Sequence, residues 1–143
     1  MPCFITHSVV NGQDTIQNRD LAVQKGLAKS HQLAVANSCD ILVIVPNIQH
    51  LDSGHVSSAL GDAFAKKFKK SEPFTLQGVS ISRTSKVPPF IRVNTVVWML
   101  WPSLITAEAV SKSCQGANNI VATEWVPYDE LNRWRVANKA KQF

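Results

Sequence analysis

The spacing of apolar positions divides the chain into alternating strand-like and helix-like segments. Residues 4–10 alternate loosely and stop at Asn11-Gly12, a turn pair, which predicts a first strand. Leu21, Leu27, Ala28, Ala34 and Val35 then recur at near-helical intervals in proline-free chain, predicting a helix from Ile16 or Arg19 to Asn37. Cys39-Asp40-Ile41-Leu42-Val43-Ile44-Val45 follows without polar alternation, the pattern of a central parallel strand buried on both faces. After a loop at 46–53, Val56, Ala59, Leu60, Ala63, Phe64 and Phe68 fall three and four apart. That spacing predicts an amphipathic helix, with Ser53 or Asp52 as its cap and Lys66, Lys67, Lys69 and Lys70 at its end.

Residues 74–82 and 90–100 read as two strands, joined by a link containing Pro88-Pro89 and arranged as a hairpin or a longer crossover. A helix entered through Pro102-Ser103 carries Leu104, Ala107, Val110 or Ser111, and Cys114, and Gly116 suits its end. Residues 120–125 predict a last strand, and Pro127-Tyr128-Asp129-Glu130 opens a final helix. This order predicts one α/β domain over residues 1–143, a three-layer sandwich with a mainly parallel sheet of about five strands, flavodoxin-like or Rossmann-like.

In such sheets ligands bind beyond the carboxyl ends of strands, where strand order reverses. That rule selects the loops at 6–8, 46–58, 98–103 and 124–128. The second carries Asn47, His50, Asp52, Ser53, Gly54, His55 and Ser57 around an expected helix start. Free N–H groups and a glycine favour an anion there, so a phosphate, carboxylate or ribose-phosphate is the expected guest. His7, Trp101, Glu124 and Trp125, from the other three loops, complete the candidate ligand-binding set. Trp101 and Trp125 suit either stacking on a planar ring or burial in a subunit interface, while Trp98 suits packing in the sheet and Trp134 either a core contact or such an interface. Glu124 is the best-placed carboxylate for a ribose hydroxyl or acid–base work.

The strand 39–45, the run Asp52-Ser53-Gly54-His55 and the run Ala59-Leu60-Gly61-Asp62-Ala63 together resemble the nucleoside 2-deoxyribosyltransferase-like family. The resemblance spans about residues 39–70 and implies a base- or ribose-binding pocket at this loop. It does not extend to glycosyl transfer. Ala59 or Ser58, depending on the anchor chosen, stands where the family carries its nucleophilic glutamate, and neither is a carboxylate.

Other chemistries have weaker signatures. Neither GxGxxG nor GxxxxGK[ST] occurs, so no dinucleotide or other cofactor is expected. His50 and His55 are not at the three- or four-residue spacing of helical metal ligands, so no metal is expected either, even with His7 as a third nitrogen. A Ser-His-acid triad can be assembled from Ser53 or Ser57, His7 or His55, and Asp52 or Glu124, but no GxSxG elbow singles out the serine.

Composition sharpens the choice of partner. Charged residues are 17% of the 143, against roughly 25% in an average soluble domain. Ser, Thr, Asn and Gln number 37, giving an amide- and hydroxyl-rich surface that tolerates association, so a homo-oligomer, most simply a dimer, is expected. The net charge of +5 arises locally: residues 1–50 carry three basic and three acidic side chains, whereas 66–92 carries seven basic ones and only Glu72. Lys66, Lys67, Lys69, Lys70, Arg83, Lys86 and Arg92 therefore form a candidate basic patch for nucleic acid, though without the interleaved aromatics of RNA-binding motifs. Three unpaired-looking cysteines, no basic leader and no apolar run approaching roughly 20 residues predict a soluble cytoplasmic protein, away from membranes.

Overall fold

The computed structural model describes residues 2–7, 9–10, 12–70, 72–114, 118–124 and 131–143. Strand β1 (Cys3–Thr6) leads through a two-strand ribbon, β2 (Val9–Val10) and β3 (Gln13–Asp14), into helix α1 (Ile16–Asn37). Thr15 caps α1 by accepting the Asn18 N–H at 3.1 Å, and Ser38 ends it in the left-handed conformation. Strand β4 (Asp40–Ile44) follows as expected.

The single helix expected after β4 is three pieces, α2 (Gln49–Asp52), α3 (His55–Leu60) and α4 (Asp62–Lys70). Gly54 and Gly61, with φ of 85° and 92°, break it, because a left-handed residue cannot continue a right-handed helix. The inward face survives the breaks, with Val56, Ala59 and Phe68 buried. Ser53 does not cap α3: its hydroxyl donates to the His50 carbonyl at 3.0 Å.

The expected strand at 74–82 is itself a hairpin, β5 (Phe74–Leu76) and β6 (Val79–Thr84), turned by Gln77-Gly78, both at positive φ. Strand β6 pairs with β4 rather than with β7 (Thr95–Leu100). The link between β6 and β7 is thus the longer crossover, pinned where the Ile91 N–H donates to the Ser113 carbonyl. Helix α5 (Leu104–Ser113), capped by Ser103, strand β8 (Asn119–Thr123), helix α6 (Asn132–Ala137) and strand β9 (Lys141–Gln142) complete the chain. The expected cap Gly116 and the expected helix start at 127–130 lie outside the described residues.

The protein is an α/β domain with one mixed, mostly parallel sheet of seven strands in the order β5-β6-β4-β7-β8-β1-β9. Only β5 runs against its neighbour. The count exceeds the expected five because one segment splits into a hairpin and a two-residue strand forms at 141–142. Helices on both faces of this sheet make the expected three-layer sandwich, and β1 lies inside it, between β8 and β9. Helices α1, α3 and α4 cover one face through Val23, Ala34, Val56 and Phe68, and α5 and α6 cover the other through Ala107, Val110 and Trp134. Among the described residues, no helix is long and apolar enough to cross a membrane.

Candidate functional site

The connections part to opposite faces at two places along the carboxyl edge. From β4 the chain leaves toward α2 to α4, whereas from its neighbour β7 it leaves toward α5 on the opposite face. From β1 it leaves toward α1, whereas the neighbouring β8 leads to α6 on the other face. Adjacent strands whose connections part in this way are where α/β sheets place their crevices, and both places carry histidine.

At the β4–β7 opening, His50 and His55 stand edge-on to Trp101, with ring centroids 4.9 and 5.9 Å away. Trp101 is 6% exposed and adopts φ of 55°. Strand alternation puts Leu100 on the α1 and α3 face and would turn the next side chain to the other one. The left-handed backbone cancels that alternation, so Leu100 and Trp101 both join the same core cluster. Such a conformation costs about 1–3 kcal/mol in a bulky residue, offset by burying an indole. Trp101 is therefore packed beneath its own histidines. Burial holds the His50 imidazole below its ordinary titration range, and the neighbouring His55 charge pushes the same way.

Beside His55, a cleft of about 210 Å³ opens between the first turns of α1 and the junction of α2 and α3. Ile16, Arg19, Asp20, Ser53, Gly54, His55 and Ser58 line it. The Ser58 hydroxyl donates to Asp20 at 2.8 Å. Arg19 and Asp20 were not expected here from sequence, whereas Ser58 ends the 46–58 loop already singled out. The available signal was topological, since a helix following β1 must start at the carboxyl edge.

The remaining expected loop residues have local work. Asn47 accepts the Gln49 N–H at 3.1 Å, a side-chain turn, and the Ser57 hydroxyl donates to Asp62. The side chain of Asp52 and all of Trp125 lie outside the described residues.

At the β8–β1 opening, His7 Nδ1 lies 2.5 Å from Glu124 Oε2. Thr6 and Thr123 are register partners, so the next residue on each strand falls side by side on the α5 and α6 face. Glu124 is 4% exposed, and its other oxygen accepts the Leu131 N–H at 3.2 Å. One step inward, Thr123 Oγ1 accepts from Trp98 Nε1 at 2.9 Å and bonds Thr6 Oγ1 at 3.1 Å. Gly26 of α1 lies against this pair. A Cβ there would come within 2.4 Å of Thr123 Oγ1, so only glycine lets α1 approach so closely. The structure thus separates Glu124 from the 46–58 loop with which sequence reasoning grouped it.

The basic stretch also divides. Arg83 Nε donates to the Phe68 carbonyl at 2.8 Å and its terminal nitrogen to the Lys69 carbonyl at 3.3 Å, closing the end of α4. Lys86 lies beyond β6 at the carboxyl edge, whereas Arg92 precedes β7 at the amino edge. The lysines of α4 are exposed, and Lys67 lies over the Phe74 ring. Trp134 is core, its Nε1 donating to Ser111 at 2.8 Å, and His31 Nε2 bonds the Leu76 carbonyl.

Comparison of the chain with family models, with curated proteins and with solved structures finds no match.

Proposed function

We propose that the protein binds a small anionic ligand, a phosphate- or carboxylate-bearing molecule, at the carboxyl edge beside His55. The observation that carries this reading is the cleft itself, which Arg19, His55 and Gly54 line together. Guanidinium and N–H groups are the usual partners of phosphate and carboxylate oxygens. A volume of about 210 Å³ falls below the roughly 300 Å³ where sites for drug-sized ligands begin. The space suits a phosphoryl, carboxylate or ribose-phosphate group, with a nucleobase left outside it. The same loop carries the ribose- or base-binding pocket implied by the resemblance noted above.

Isothermal titration with inorganic phosphate, sulfate and ribose 5-phosphate tests the reading. Saturable binding that R19Q abolishes is the expected result, and a ligand at a hundred times its Kd would stabilise the fold by about 2.7 kcal/mol. Wild-type protein that binds none of the three overturns it.

A second reading, self-association, is favoured by two exposed apolar side chains, Ile105 on α5 and Val136 on α6, on the layer opposite the cleft. Sedimentation equilibrium of wild type and I105E/V136E is expected to give a dimer and a monomer. A monomeric wild type at high concentration removes this reading.

A further inference from the structure

We propose that His7 is a general base, accepting a proton at Nε2 from a water or a ligand hydroxyl, with Glu124 as its positioning residue. The proposal rests on the β8–β1 opening alone and stands apart from the anion reading.

Three observations build it. The pair is held rather than fortuitous: the register puts both residues at strand ends on one face, and Leu131 fixes the second carboxylate oxygen. The contact runs through Nδ1, so Nδ1 carries the proton donated to Glu124, and the neutral ring bears its lone pair on Nε2. Nε2 has no hydrogen-bond partner among the described residues, and the His7 side chain is 22% exposed while Glu124 is nearly sealed. A buried carboxylate that orients a solvent-reaching imidazole is the arrangement by which proton-accepting histidines are prepared. A salt bridge formed only for stability has no need to leave one ring nitrogen open at a strand's carboxyl end.

The step balances simply. The substrate O–H bond breaks, its proton forms a bond to Nε2, and the electron pair remains on oxygen, which becomes the nucleophile. The imidazolium keeps its Nδ1–H on Glu124, whose negative charge compensates it, and Nε2 returns the proton to the departing group. Water or alcohol attack at a carbonyl or phosphoryl centre is the class of chemistry this serves.

Two measurements test it. In the neutral form of His7, long-range nitrogen–proton NMR of the wild-type chain is expected to show Nδ1 protonated and Nε2 bare; the opposite tautomer overturns the proposal. Diethyl pyrocarbonate, mapped by mass spectrometry, is expected to modify His7 several times faster than His31, and E124Q to slow His7 alone by about tenfold. Equal rates at His7 and His31, or a His7 rate unchanged in a folded E124Q, also overturn it. The NMR result decides the matter even if E124Q does not fold.

Discussion

The two carboxyl-edge openings answer the same topological opportunity with opposite kinds of construction. Around β8 and β1, hydrogen bonds do the fixing: Trp98, Thr123 and Thr6 are linked beneath the surface, Gly26 lets α1 lie against them, and Glu124 is held from two sides. Around β4 and β7, the positioning groups are short helical turns, two left-handed glycines and aromatic edges. Aromatic contacts are less directional than a carboxylate–imidazole bond, and short turns separated by glycine rearrange at smaller cost. One opening is built to hold an atom in place, and the other can adjust to a guest.

That contrast is broken most strongly by removing one histidine from each side. H7A leaves a buried carboxylate without its hydrogen-bond donor, and urea unfolding is expected to show a loss of about 2–3 kcal/mol. H50A removes a ring packed on Trp101 and is expected to cost about 1 kcal/mol. Equal losses would mean that the two openings are alike.

Glycine substitutions sharpen the comparison at a smaller scale. G26A drives a methyl group into Thr123 and Trp98 and is expected to cost about 1–3 kcal/mol by the same measurement. G54A meets open space and bears only the left-handed penalty, about 1 kcal/mol.

Acidification should produce the smallest effect and act through the β4–β7 side. The folded state lowers the His50 titration below its ordinary value of 6.5, so folding favours the neutral ring. That contribution is complete above 6.5 and is lost as pH falls through the lowered folded value, because the unfolded chain then holds the extra proton. The urea midpoint is expected to drop between pH 7.5 and 5, and H50Q to flatten the drop.

Much of the fold was legible because local pattern and tertiary role agree in β4, β7, β8 and α5. The helix at 56–68 was legible as a buried face but not as three pieces, although Gly54 and Gly61 were in view; apolar spacing is insensitive to a break that preserves the face. The turn at Gln77-Gly78 was hidden by continuous strand character on both sides. The left-handed Trp101 had no local signal, since nothing in Leu-Trp-Pro demands a positive φ. His7 and Glu124 were each singled out as candidates, but within the expected strands 4–10 and 120–125, whereas the strands end one residue before each, at Thr6 and Thr123. Their partnership depends on parallel register between distant strands, which composition and spacing do not encode.

That register also orders events in time. Thr6 and Thr123 are 117 residues apart, and both neighbours of β1 lie in the last quarter of the chain. During synthesis, β1 must wait as an unpaired strand until β8 has left the ribosome, while β4, β6 and β7 already have one another. Contacts of such long separation form late and slow folding. The imidazole–carboxylate pair is then among the last native features to appear, so its formation reports that the whole sheet has closed.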